Sequence, residues 1–205
     1  MEDVLDLYAE PYDPTRPWVC FDERPCQLVD DVLQPLPAES GRPRREDYEY
    51  ARQGHCNLFV LAQPQTGWRH LDVTDRRTSQ DFAQQMQTLV DKQFPDAEVI
   101  RVVLDNLNTH SPAALYQTFT PEEARRLTRK LEFHYTPKHG SWLNMAEIEL
   151  SVLGRQCLRR RIGDRDTLRR EVTAWEAQRN TERATIRWRF TTTDARVKLH
   201  RLYPA

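Results

Sequence analysis

The chain has 205 residues, of which 39% are hydrophobic and 30% charged, and its formal net charge is −1. This composition is typical of a globular protein with a substantial core, and it excludes an intrinsically disordered chain. No apolar run approaches the roughly 20 residues that cross a membrane, and the N-terminus lacks the basic and apolar regions of a secretory signal, so we expect a cytoplasmic protein. Four cysteines without a Cys-x-x-Cys pair favour reduced core residues over a zinc site.

The first part of the chain is predicted to hold a leader followed by three strands. Residues 1–17 are acidic and contain three prolines, which indicates a leader or linker. A short apolar run then ends at Asp22, whereas 25–45 is proline-rich and irregular apart from a short strand at 27–29. The turn-forming residues 64–67 separate two further strands, which predicts a hairpin. The three strands are predicted at 18–22, 54–63 and 68–74.

Helices and strands alternate after this hairpin. Thr78, with Asp81 three residues later, predicts a capped helix, and the Ser-Pro and Thr-Pro pairs at 111–112 and 120–121 predict two more helix starts. Further strands are predicted at 98–104 and 131–135, and further helices at 143–158 and 166–179. Three leading strands followed by alternating units predict an α/β domain with a mixed five-stranded sheet flanked by helices, which is the element order of the RNase H-like fold.

Charge separates this predicted domain, 18–160, from a basic helical C-terminal extension at 161–205. Between residues 155 and 201 there are 14 Lys and Arg against 6 Asp and Glu, a local charge of +8, whereas the rest of the chain carries −9. A basic segment on an acidic body indicates a polyanionic partner, but a solvated helix with internal salt bridges explains the same charges. The sequence leaves these two interpretations open.

Acidic residues end two of the predicted strands, at Asp22 and Asp105. Ligands of open α/β sheets collect at the carboxyl ends of strands, and two aspartates side by side there would repel unless one took up a proton. A divalent cation removes this repulsion, and a cluster of hard oxygen ligands suits Mg²⁺ or Mn²⁺. Two such ions about 3.5–4 Å apart support phosphoryl transfer. A third carboxylate is expected on the helix after the last strand, where periodicity leaves Glu147 and Glu149 both open.

Three motifs carry a resemblance to a known family. They are Val-Cys-Phe-Asp-Glu at 19–23, Val-Leu-Asp-Asn-Leu-Asn-Thr-His at 103–110, and the stretch 131–147, which ends in Ser-Trp-Leu-Asn-Met-Ala-Glu. Through them most of the chain resembles the DDE transposases of bacterial insertion sequences in the mariner superfamily. Two departures are Asn-Met-Ala-Glu in place of the commoner Asn-Pro-x-Glu, and a separation of 42 residues between the second and third acids, which is longer than usual.

The resemblance implies that Asp22, Asp105 and Glu147 are the catalytic residues and the ligands of two Mg²⁺ ions, for which Mn²⁺ substitutes. It implies hydrolysis that releases a 3′-hydroxyl, followed by attack of that hydroxyl on target DNA. The expected partners are double-stranded DNA (transposon ends and target) and a second copy in a homodimer. Because family members carry helix-turn-helix domains, we expect a fragment or one product of a split reading frame, served by a separate N-terminal segment. The expected location is the bacterial cytoplasm, at the nucleoid.

Several other residues are candidates for binding DNA. His110 precedes a predicted helix, where it contacts a phosphate or belongs to the cap region. Lys138 and His139 lie on the loop before the third acid and are expected to contact the DNA backbone. Glu23 is expected to be exposed, and Trp142 to pack in the core. The basic segment contributes Arg159, Arg160 and Arg161.

Two alternatives to a transposase are compatible with parts of the pattern. A nuclease of the same fold that only hydrolyses DNA would have the same acids and metal ions, so these residues do not separate the two. A non-catalytic DNA-binding remnant is disfavoured because all three acids are present. Products of strand transfer would distinguish a transposase from the nuclease, and metal-dependent cleavage would distinguish it from the DNA-binding remnant.

Overall fold

Five strands and seven α-helices form the part of the chain that the computed structural model describes, residues 1–203. The strands are β1 (Trp18–Asp31), β2 (Tyr50–Gln63), β3 (Trp68–Thr74), β4 (Ile100–Leu104) and β5 (Leu131–Tyr135). The helices are α1 (Glu2–Ala9), α2 (Ser79–Thr88), α3 (Pro112–Thr118), α4 (Pro121–Lys130), α5 (Ala146–Gln156), α6 (Arg165–Thr181) and α7 (Thr192–Lys198). Within these residues no helix combines the length and the apolar character needed to cross a membrane.

The strands form one sheet in the order β3-β2-β1-β4-β5. The β1–β2 and β2–β3 pairs are antiparallel, whereas β4 lies parallel to both β1 and β5. The antiparallel half follows from chain reversals at hairpins, and the parallel half requires the helical crossovers that bring the chain back to the same edge. The predicted mixed five-stranded sheet flanked by helices is therefore confirmed.

Alternate residues of β1 feed two cores on opposite faces of the sheet, as the two-residue period of a strand requires. On one face Trp18 and Cys20 pack in a cluster with residues of α1, α5 and α6. On the other face Val19 and Phe21 pack with residues of α2, α3 and α4. Helices thus cover both faces of the sheet.

β1 continues past Asp22 as far as Asp31, so the predicted strand end at the acid is wrong. Beyond the acid, β1 continues to pair with β2, and from Cys26 opposite Cys56 onward the two strands form a two-stranded arm without β3. Most residues of this arm are at least partly exposed, so no apolar run marks it in the sequence. Composition predicted that the segment 25–45 is irregular apart from a short strand. Its first residues, as far as Asp31, instead belong to β1 and pair with β2.

Both ends of the chain pack on the domain instead of standing apart from it. In the predicted leader, α1 buries Val4, Leu5 and Leu7 in the first core. In the predicted extension, α6 buries Leu168 and Trp175 in the same core. Prolines and charges led to predicted boundaries at residues 17 and 160. The apolar side chains of α1 and α6 nevertheless pack in the first core, so contacts with the core cross both positions. Residues 204–205 of the predicted extension lie outside the described part of the chain.

Candidate active site

Three secondary-structure elements bring the predicted acids to one edge of the sheet. The parallel register pairs Val19 with Val102 and Cys20 with Val103, and continuing it by two residues places Asp22 beside Asp105. Glu147 lies in the first turn of α5, which packs on β1 and β2. The fold therefore gathers the two aspartates and the glutamate from positions far apart in the sequence.

The acids interact electrostatically. Burial, together with the negative charges of Glu147, Glu23 and Asp105, raises the pKa of Asp22 from 3.8 to about 7. This is the repulsion expected when carboxylates share a small site without a cation between them. A divalent cation is the partner that such a group of hard oxygen ligands lacks.

The carboxylates are suitable ligands for a metal ion, but their side chains do not converge on one metal position. Across residues 1–203, no three His, Cys, Asp or Glu side chains converge closely enough to hold a metal ion as they stand. Glu147 has an exposed side chain with rotational freedom, whereas Asp22 is mostly buried. The donor set therefore fits a hard divalent cation, and side-chain rotation is needed to close it.

Asn144 fixes the start of α5 against the first acid. Its Nδ2 donates to the Phe21 carbonyl oxygen at 2.8 Å and lies 3.4 Å from Asp22 Oδ2, while its Oδ1 accepts from the Ala146 amide at 3.1 Å. The side chain is buried, so these bonds are shielded from water. Sequence reasoning used Asn144 only as part of a motif and missed this role.

His110 lies beneath the second acid and not on the DNA-facing surface that the sequence suggested. Its Nδ1 is 2.7 Å from Asp105 Oδ1 and its Nε2 is 3.0 Å from Glu23 Oε2. The His110 and Glu23 side chains are only 2% and 3% exposed, so the expected exposure of Glu23 is also wrong. A phosphate cannot reach His110 in this conformation.

These contacts set the charges of the pair. Burial by itself would lower the pKa of His110, but the neighbouring Asp105 and Glu23 carboxylates raise it to about 9. Burial would raise the pKa of Asp105, but the hydrogen bond with His110 holds it below its ordinary value of 3.8. The period of β1 could have revealed Glu23, because residue 23 shares a face with the buried Val19 and Phe21 once the strand is extended past Asp22.

Glu149 faces the interior, away from the cluster of acids. Its carboxylate is 3.1 Å from Arg69 Nε and 3.3 Å from Arg179 Nη2. Arg69 also donates to the Ala184 carbonyl oxygen at 2.7 Å. The Glu149 and Arg69 side chains are each 1% exposed. Of the two glutamates that periodicity left open, Glu149 is thus occupied by a buried ion network, and Glu147 is the one whose charge acts on Asp22.

The loop before α5 presents the predicted DNA-binding pair to solvent. Lys138 and His139 are both exposed, and His139 has a positive φ of 63°. Trp142 is 45% exposed, so its expected place in the core is wrong. Its ring packs on Trp188 and Phe190 at centroid distances of 6.3 and 5.6 Å. The C-terminal segment therefore packs against the residues that follow this loop.

The three consecutive arginines differ in their surroundings. Arg161 binds Asp31 at 2.6 Å and also donates to the Glu49 carbonyl oxygen at 2.8 Å. Arg160 forms an ion pair with Glu171. Arg159 is exposed and has no ion-pair partner among residues 1–203. Two of the three arginines thus have an acidic partner within the chain, and DNA binding by all three stays a prediction.

The raised pKa of Asp22 predicts how the stability of the metal-free protein depends on pH. Stability from this group is fully present below the ordinary pKa and is lost as the pH rises through about 7, because only the folded state resists ionisation. We expect Asp22→Asn to stabilise the protein by about 2 kcal/mol more at pH 8 than at pH 5.5, at 1.36 kcal/mol per unit. Thermal melts in a chelator measure this difference.

Asp96→Asn is the matched control, since Asp96 is exposed and precedes β4, whereas Asp105 follows the opposite end of that strand. Its effect on melting is expected to stay within about 0.5 kcal/mol at both pH values. Equal effects of Asp22→Asn at the two pH values would contradict the assigned repulsion.

Comparison with known proteins adds a family and a fold. The profile of the family described as DDE superfamily endonuclease matches residues 17–169. No curated protein matches the chain. The fold is similar to the structure of the Mos1 mariner paired end complex with Mn, at a TM-score of 0.58 and 17% identity over 88% of this chain and 54% of that chain.

Two further solved structures show the same likeness. A pre-cleavage Mos1 transpososome has a TM-score of 0.56 and 14% identity over 88% of this chain and 58% of that chain. The Mos1 strand transfer complex has a TM-score of 0.56 and 14% identity, over 80% and 48%. The chain spans about half the length of these proteins, and it shares their RNase H-like fold. Because the family profile covers most of its length, the chain belongs to the DDE superfamily of endonucleases.

Proposed function

We propose that this chain is the catalytic domain of a DNA transposase that hydrolyses phosphodiester bonds and transfers the released strand to target DNA. The observation that carries the proposal is the grouping of Asp22 and Asp105 on adjacent parallel strands, with the charge of Glu147 acting on Asp22. Membership of an endonuclease superfamily and the likeness to Mos1 complexes support it. A bacterial insertion sequence and action at the nucleoid belong to the proposal and rest on the motif resemblance.

In this proposal Asp22, Asp105 and Glu147 hold two Mg²⁺ ions, or Mn²⁺ in their place. Bound divalent ions would supply activation of the attacking oxygen and stabilisation of the leaving oxygen. Asn144 keeps Asp22 and the start of α5 in a fixed relation, and Lys138 and His139 are exposed on the loop between β5 and α5, where we propose that they contact DNA. Transposon ends, target DNA, a second copy of the chain and a separate helix-turn-helix segment are the proposed partners.

Nicking of a labelled duplex tests the proposal, with and without Mg²⁺ or Mn²⁺. The expected result is metal-dependent cleavage that leaves a 3′-hydroxyl and is lost in Asp105→Asn. Adding an unlabelled target duplex then distinguishes strand transfer from hydrolysis alone. Joined products support a transposase, whereas cleavage without joining supports a nuclease that only hydrolyses, and no cleavage supports a DNA-binding remnant.

The surroundings of the three arginines predict unequal effects on DNA binding. Arg159→Ala should weaken binding and flatten the slope of log affinity against log salt by about 0.9, because one phosphate contact and its released counterion are lost. Arg161→Ala should leave the slope unchanged and lower the melting temperature, because Arg161 holds Asp31 and the chain near Glu49. Fluorescence anisotropy across a salt series and thermal melts check both. A slope that Arg159→Ala does not change would make the segment purely structural.

A further inference from the structure

We propose that His110, supported by Glu23, is a positioning residue that orients the Asp105 carboxylate for a divalent cation. The inference deepens the proposed function and rests on it. Its basis is a buried chain of three side chains, in which His110 Nδ1 lies 2.7 Å from Asp105 Oδ1 and His110 Nε2 lies 3.0 Å from Glu23 Oε2.

The bonds to Asp105 are all on one side of its carboxylate. Oδ1 is bound by His110 Nδ1 and also accepts from the Leu107 amide at 3.2 Å. Within residues 1–203, Oδ2 has no hydrogen-bonding partner. One oxygen is therefore fixed by the protein, which sets the plane of the carboxylate, and the other is left for a ligand. Side chains that orient a metal-binding carboxylate in this way commonly change metal affinity about 10- to 100-fold when removed.

The His110 ring is itself held in place. It packs edge-on against Phe21 at a centroid distance of 5.2 Å and lies tilted against Phe82 at 5.0 Å. The Tyr135 hydroxyl donates to the His110 carbonyl oxygen at 2.9 Å, which fixes the backbone before α3. A ring confined by two aromatic side chains cannot turn away from Asp105 without disturbing the second core.

Glu23 makes a purely structural explanation less satisfactory. It is 3% exposed, and its Oε2 has no hydrogen bond of good geometry among residues 1–203 despite the 3.0 Å approach of His110. Apolar side chains would fill such a space at lower cost, because burying ionised groups is expensive and hydrophobic replacements are often neutral or stabilising. The polar pair is instead placed directly next to Asp22 and Asp105, where orientation of a carboxylate has a use.

The test measures Mn²⁺ affinity by titration calorimetry on the whole chain, without DNA or turnover. Wild type is expected to bind Mn²⁺ and Asp105→Asn to lose that binding. His110→Phe fills the space between the aromatic rings but donates nothing, so affinity should fall about 10- to 100-fold. His110→Asn keeps a donor at the position of Nδ1 and should stay within about threefold of wild type.

A double-mutant cycle assigns the part of Glu23. Glu23→Gln should weaken binding more in the wild type than in His110→Phe, because its effect passes through the histidine. If Glu23→Gln changed Mn²⁺ affinity equally in the two backgrounds, Glu23 would not act through His110. Wild-type affinity in His110→Phe, or a loss in His110→Asn as large as that in Asp105→Asn, would overturn the positioning role. If His110→Phe does not fold, His110→Asn and Glu23→Gln still decide. Wild-type binding that Asp105→Asn leaves unchanged would instead refute the proposed metal site.

Discussion

Glu147→Gln is expected to lower metal-dependent cleavage of duplex DNA by about a thousandfold or more, which corresponds to about 4 kcal/mol of transition-state stabilisation. The loss follows from removing a carboxylate whose charge already acts on Asp22 and which would help to hold the cations. Melting should change little, because the side chain is exposed and makes no hydrogen bond or ion pair among residues 1–203. Single-turnover cleavage and thermal melts, both with and without Mn²⁺, measure the two effects.

Glu122→Gln provides a matched control for this substitution. Glu122 is an exposed glutamate in the first turn of α4, as Glu147 is in the first turn of α5, and it lies outside the cluster of acids. Its replacement should leave cleavage within about twofold of wild type, since surface changes of this kind are usually worth under 0.5 kcal/mol. Cleavage that survives in Glu147→Gln would contradict Glu147 as the third ligand.

Glu149→Gln, two residues further along the same helix, should act on stability. Removing its charge leaves Arg69 buried without its counterion, and breaking a buried ion pair typically costs about 3–5 kcal/mol. For a domain of this size that corresponds to a fall of about 10 °C in melting temperature. Thermal and denaturant unfolding measure the loss.

An exposed ion pair serves as the control for the effect of burial on the stability that an ion pair contributes. Arg126 pairs with Asp91 at 2.8 Å, but both side chains are at least a third exposed. Asp91→Asn should therefore cost only about 0–1 kcal/mol. If Glu149→Gln were no more destabilising than Asp91→Asn, the Arg69–Glu149 network would not anchor α5. Mn²⁺ affinity measured well below the melting temperature should be almost unchanged in Glu149→Gln, because Glu149 points away from the acids.

Local sequence signals predicted the elements of the fold because those signals depend on neighbours in the chain. The strand at 68–74 was predicted with its observed bounds, and Thr78 forms the expected capping box with Asp81. The exposed arm beyond Asp22 and the apolar stripe of α1 were missed. Both depend on surfaces supplied by distant residues, on β2 for the arm and on the first core for the helix.

The sequence by itself determined most of the secondary structure, the placement of the two aspartates after apolar strand segments and the motif that points to Glu147. Only the tertiary structure decided which charged side chains are buried and with whom. Glu149 meets Arg69 from β3, and His110 meets Glu23 from β1, across separations that no helical or strand period encodes. A buried charge is tolerated only where a partner of opposite charge reaches it. That partner is set by the packing of the whole chain, so the orientation of these residues could not be predicted from their immediate neighbours.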